Sequence, residues 1–226
     1  MIHRTLGLLL ALLSTVAAED KGSGARKETG VSVRLLAEQY PPELGKVFLS
    51  FGEEKSEDVI IPTNYLSAPV PVPERTMVLK TAGKDITLCT IKLPETGKTF
   101  AVVLVVAKPA GFTPIVVRTD DPEFKAGDVF FINRSEATVL GKLGNTALVL
   151  KSGETTKTRP SGAVDGTYYD IAFATREAAG DKLISTSRWP IDTDLRSYLF
   201  FFTSAEGRTT FRAVDEYLTA SAAGKP

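Results

Sequence analysis

The sequence predicts an all-β fold: an antiparallel β-sandwich of two small tandem modules, with little helix. Three observations point there. From Val31 onward the chain is a succession of short apolar runs rich in Val, Ile, Thr, Phe and Tyr. Gly, Pro, Asn and Asp break those runs where turns need them. Two runs, "FAVVLVVA" and "YLFFF", do not alternate, which marks strands buried on both faces, at a sandwich centre or between modules.

The first eighteen residues read as an export signal rather than as part of the fold. His3 and Arg4 form a cationic start, Leu6 to Leu13 an apolar stretch, and Val16 and Ala18 supply the small residues a signal peptidase needs. The apolar stretch is shorter than the about 20 residues that span a bilayer. The expected location is therefore periplasmic or extracellular, with no transmembrane segment after cleavage. Residues 19–30 are polar and small and read as a flexible N-terminus.

The first module, residues 31–119, has expected strands at 31–38, 45–51, 58–62, 75–81, 86–93, 99–107 and 112–119. Segment 86–93 alternates, with Cys89 on its apolar side and Leu88 and Thr90 on the other. "SAPVPVPERT", 67–76, carries three prolines at alternate positions, which favours an extended edge strand or a docking surface. Asp120-Asp121-Pro122 forms a joint between the modules. The second module, 124–218, has expected strands at 127–133, 138–143, 146–152, 155–160, 168–175, 182–188, 197–204 and 208–214. "ATREAAG", 174–180, reads either as a helical turn or as a hairpin loop, and "VDEYLTASAA", 214–223, as a short closing helix. Residues 219–226 are a flexible C-terminus.

The halves invite alignment. "GKVFLSF" from Gly45 resembles "GDVFFIN" from Gly127, and "ETGKTFAVVLVVAKPAG" resembles "DTDLRSYLFFFTSAEG". An internal duplication or a chance recurrence of β patterns would each produce this.

The stretch "FKAGDVFFIN", Phe124 to Asn133, with the later "LVLKSGET", Trp189 and Tyr198 to Phe202, resembles an uncharacterised family of exported bacterial proteins. The likeness spans about residues 31 to 218. It implies fold and location, and no activity.

Composition excludes more than it selects. His3 is the only histidine, so the exported chain has none, which removes His-based triads and the usual zinc sites. Loss of Arg4 leaves 26 Lys plus Arg against 27 Asp plus Glu. That scattered, near-neutral surface gives nucleic acid no footprint. Cys89 is the single cysteine, so no internal disulfide forms, and a buried apolar role suits it better than a reactive one. No cofactor or metal is expected. The partner would be an unidentified protein or glycan.

Candidate sites are few. "RWPIDTDLRSY", Arg188 to Tyr198, holds the only Trp, and Pro190 confines its strand to an edge or an end. Trp189, Asp192, Asp194 and Arg196 could stack on a sugar ring and hydrogen-bond its hydroxyls. Alternatively, Trp189 plugs the sandwich end and "DTD" is a turn closed by its own side chains. Two carboxylates at i and i+2 need not face each other as a glycosidase pair must. Asn133-Arg134-Ser135 matches a glycosylation pattern but fits a strand-ending turn better. Asp120, Asp121 and Glu123 lack the full oxygen-rich calcium loop. The expected protein is a non-catalytic exported envelope or extracellular interaction protein, with a carbohydrate-binding module or weak carboxylate glycosidase as the alternative.

Overall fold

The computed structural model describes residues 30–107, 110–162, 168–204 and 206–218. The expected leader, most of the polar segment after it and the C-terminal tail lie outside the described residues. Sixteen strands account for the described fold, with one short 3₁₀ turn at Pro42–Leu44 and no α-helix among the described residues. No described helix is long and apolar enough to cross a membrane.

The first half contributes β1 (Ser32–Ala37), β2 (Val47–Phe51), β3 (Glu54–Lys55), β4 (Val70–Pro71), β5 (Thr76–Thr81), β6 (Thr87–Lys92), β7 (Thr99–Val106) and β8 (Phe112–Arg118). They form two sheets, ordered β4-β1-β7-β8 and β3-β2-β5-β6. The second half contributes β9 (Val129–Asn133), β10 (Thr138–Leu143), β11 (Thr146–Leu150), β12 (Thr155–Thr158), β13 (Tyr168–Glu177), β14 (Gly180–Pro190), β15 (Leu195–Thr203) and β16 (Thr209–Tyr217). Its sheets are ordered β12-β9-β15-β16 and β11-β10-β13-β14. The sandwich is not purely antiparallel, because β1 and β7, and likewise β9 and β15, pair in parallel.

Side-chain alternation on the central strands stacks the four sheets in layers. On β7, Phe100, Val102 and Leu104 face β2, β5 and β6, whereas Ala101, Val103 and Val105 face the second half. On β15, Tyr198 and Phe200 face the first half, whereas Leu199 and Phe201 pack on Phe131, Ile171 and Phe173. The non-alternating runs are thus strands with an apolar layer on each face. Fully burying each large side chain of the middle layer contributes about 1.5–3 kcal/mol, so this seam is a core in its own right.

Strand for strand, the second half repeats the hydrogen-bonded order of the first, down to the parallel pair in each inner sheet. Two tight hairpins set the register of the outer sheets. Phe51 pairs with Glu54 around Gly52-Glu53, and Leu143 with Thr146 around Gly144-Asn145. Both glycines have a left-handed φ, +61° and +59°, which an L side chain resists. In that register Arg75 corresponds to Tyr169 and Leu93 to Trp189; on the inner sheets Phe100 corresponds to Ser197 and Arg118 to Asp215. The alignment of residues 95–111 with 192–207 matches this topology. The alignment of "GKVFLSF" with "GDVFFIN" does not: the former is β2 of an outer sheet and the latter β9 of an inner one. A glycine turn followed by Val-Phe recurs there because both strands leave a turn and bury an apolar face.

Other local expectations change. "VDEY" extends β16 instead of starting a helix, because Arg196 and Leu195 pair with Glu216 and Tyr217 across the ladder. Leu88 does not point away from Cys89; a β-bulge opposite Leu79 and Lys80 turns both into the core. Of residues 58–62 only Val59 pairs, in an isolated bridge to Val47. Within "ATREAAG", Ala174 to Glu177 end β13 and Ala178-Ala179 form the turn into β14, and Val70–Pro71 forms the edge of the first inner sheet.

Candidate functional site

The second sandwich opens at one end into a pocket of about 430 Å³. Its walls come from the starts of β9, β13 and β15, the ends of β14 and β16, and the loops holding Arg159 and Asp192. The opening has a residue-level cause. Ser197 shares the inward face of Leu199 and Phe201, and Ala213 and Asp215 share that of Phe211, so small and polar groups stand where apolar bulk would close the end.

Aromatic residues form the floor and one wall. Tyr169 is only 6 % exposed, and no described residue hydrogen-bonds its hydroxyl. Burial first, and the Asp215 carboxylate second, push it up to about 12, which places the hydroxyl in that carboxylate's field. Trp189 meets Tyr169 edge-on at 6.4 Å and Phe173 at 6.1 Å, and it tilts against Phe211 at 6.2 Å. It therefore closes the core and lines the pocket at once, joining the two roles that the sequence left as alternatives. Its indole N–H has no acceptor among the described residues. Tyr217, 66 % exposed, stands at the mouth.

Three carboxylates line the space. Asp128 is buried and committed: Oδ1 accepts from Arg159 Nε at 2.6 Å and Oδ2 from the Lys125 backbone N–H at 2.7 Å. Asp192 Oδ1 accepts from the Asp194 backbone N–H at 2.8 Å, the expected self-closed turn. Asp215 Oδ1 accepts from the Ser197 hydroxyl at 2.6 Å. Neither Asp192 nor Asp215 has a cation partner among the described residues.

The structure divides the sequence-derived cluster. Trp189 and Asp192 line the pocket, whereas Asp194 and Arg196 do not. Asp194 is exposed, and its backbone carbonyl accepts from Leu218 N–H at 2.7 Å. Arg196 is 4 % exposed and lies in the seam, because its parity on β15 is that of Tyr198 and Phe200. There Arg196 donates to Glu216 at 2.6 Å and to the carbonyls of Thr119 and Phe124, while the Tyr198 hydroxyl and Arg34 also donate to Glu216. Arg34 belongs to β1, so this cluster ties the halves together. Tyr169, Asp128 and Asp215 escaped the sequence reading, although alternation in "YYDIAFAT" already sets Tyr169 beside Ile171 and Phe173.

The remaining candidates have structural roles. Asn133 is fully buried and bonds to the Ala137 and Leu150 carbonyls and to Ser135. Asp120 and Asp121 accept from Arg118 and Lys157 in the joint between the halves. Burial raises the Cys89 thiol to about 11. Among the described residues no group of three or more His, Cys, Asp or Glu is placed to hold a metal ion.

Known proteins offer no shortcut: no family model matches this chain, and no curated protein is significantly similar to it.

Proposed function

We propose that this chain is a non-catalytic binding protein of the envelope or extracellular space, holding a small ligand, or one group of a protein or glycan partner, at the end of its second sandwich. The Tyr169 side chain, buried on the pocket floor with a hydroxyl that no described residue bonds, carries the reading. A phenol hydroxyl that faces a pocket without a protein partner is free to bond water or a ligand. A pocket whose floor offers an unpaired hydroxyl beside an indole N–H has the makeup of a ligand site, mostly apolar with a few directed polar groups. Location outside the cytoplasm is supported by the leader-like first eighteen residues. The non-catalytic part is supported by a chain whose single histidine lies within that leader.

Trp189, the only tryptophan, reports directly on occupancy. A panel of sugars, amino acids and amines is titrated against its fluorescence, in the full chain and in Tyr169→Phe. Saturable quenching that weakens in Tyr169→Phe is the expected result. A panel without any saturable response, or one blind to the hydroxyl's removal, would exclude this pocket as the site.

A further inference from the structure

We infer that the pocket is selective for a cationic group, a primary or quaternary alkylammonium; this rests on the reading of the pocket as a ligand site. The internal repeat supplies the argument, because the same end of the first sandwich is closed by the protein itself. There Phe100 fills the position of Ser197, and the Arg75 guanidinium lies 6.0 Å from its ring centre, at the position of Tyr169. Arg75 is pinned by the Pro94 carbonyl and, at 3.0 Å, by that of Gly97. Arg118, at the position of Asp215, pairs with Asp120 at 2.8 Å. A cation seated on an aromatic ring is thus the first sandwich's own plug.

The second sandwich lacks that plug and has the opposite charge in its place. Tyr169 and Trp189, at the positions of Arg75 and Leu93, supply an aromatic wall, Ser197 leaves the volume that Phe100 fills, and Asp215 replaces an arginine. Asp128 is neutralised by Arg159, so the uncompensated charge belongs to Asp192 and Asp215, each with one carboxylate oxygen that no described residue bonds. Aromatic faces and carboxylates in a partly enclosed site attract ammonium groups through the ring quadrupole and Coulomb attraction, and water screens this less there than on an open surface. The Tyr169 side chain, nine-tenths buried and lining the cavity with a hydroxyl that no described residue bonds, marks it as a place for a ligand independently of the acids around it. A neutral sugar would use the aromatic wall and leave the two carboxylates without a counter-charge.

The test uses the full chain, calorimetry and Trp189 fluorescence, with choline and butylammonium as probes. Their neutral isosteres, 3,3-dimethylbutanol and butanol, and a neutral hexose serve as the other arms. The cations should bind at least about tenfold tighter than the isosteres, the order of one charge-assisted contact. Asp215→Asn and Asp192→Asn, which keep the size and the Oδ1 acceptor, should each erase most of that margin while far-ultraviolet dichroism stays unchanged. Ser197→Phe, which restores the first sandwich's plug, should abolish binding of every probe. Isosteres or hexose binding as well as the cations, or a cation margin untouched in both Asn variants, overturns the selectivity and leaves the pocket standing. No response to any probe removes pocket and selectivity together.

Discussion

Replacing Glu216 with Ala strands the Arg196 guanidinium between the two inner sheets. Both side chains are nearly closed off, 5 % and 6 % exposed, and their contact is 2.6 Å. Removing one partner of such a pair costs about 3–5 kcal/mol, because the remaining charge keeps its desolvation and loses its compensation. The Tyr198 hydroxyl loses its acceptor as well. Arg34 reaches the same carboxylate at 2.9 Å, but its side chain is 34 % exposed, so water can replace Glu216 and Arg34→Ala should cost only about 1 kcal/mol. Replacing both members together, as Arg196→Met with Glu216→Leu, should cost much less than the sum of the single changes, since neither charge is then orphaned. Urea denaturation followed by Trp189 fluorescence and far-ultraviolet dichroism reads all of these. The two signals should coincide, because the seam couples the halves, and Glu216→Ala should lower the midpoint by about 1–2 M. A Glu216→Ala penalty within about 1 kcal/mol of zero, or one matched by Arg34→Ala, would show that the seam charges are solvated and that the reasoning fails.

Alkaline pH should act on Tyr169. Its raised value favours the neutral form in the fold, so the stabilisation is complete below about pH 10, the unfolded value, and is lost as pH rises towards about 12. Native-state phenolate absorbance should show this tyrosine ionising well above pH 10, with Tyr198 also raised by its burial; ionisation of Tyr169 near pH 10 would contradict the burial assigned to it. The repeated hairpins provide a matched pair of glycine tests. Gly52→Ala meets open space and should cost about 1 kcal/mol for its left-handed φ. Gly144→Ala would set a Cβ 1.6 Å from the Ser161 carbonyl oxygen and should cost at least about 2 kcal/mol more, measured as the difference in unfolding free energy. Equal penalties would disprove the close approach.

Much of the fold was legible because its signals are local. Non-alternation in "FAVVLVVA" and "YLFFF" announced strands with two apolar faces, and glycine and proline marked most turns. Glu54–Lys55 was not legible, since two exposed charged residues pair only because the Gly52 turn returns them to Ser50 and Phe51. Residues 58–62 carried strand composition but meet the sheets only at single points, Val59 with Val47 and Pro62 with Ala37. Of the site, Trp189 and Asp192 could be found by inspection of one loop. Arg196 misled because proximity in sequence says nothing about face: its parity on β15 and Glu216, on the next strand, take it into the seam. Asp215 and Asp128 join the pocket through pairings across the sheet, which no window of sequence contains.

The double-faced strand β7 also has a consequence for how the protein is made. Leu36, Val103 and Val105 pack in a cluster whose second-half members run from Phe124 to Val214. At synthesis rates of about 5–20 residues per second, that surface waits on the order of 5–20 seconds for its cover. A fragment ending at the joint would never receive it, and would leave the ribosome as a sheet with one greasy side and a tendency to stick to its own kind.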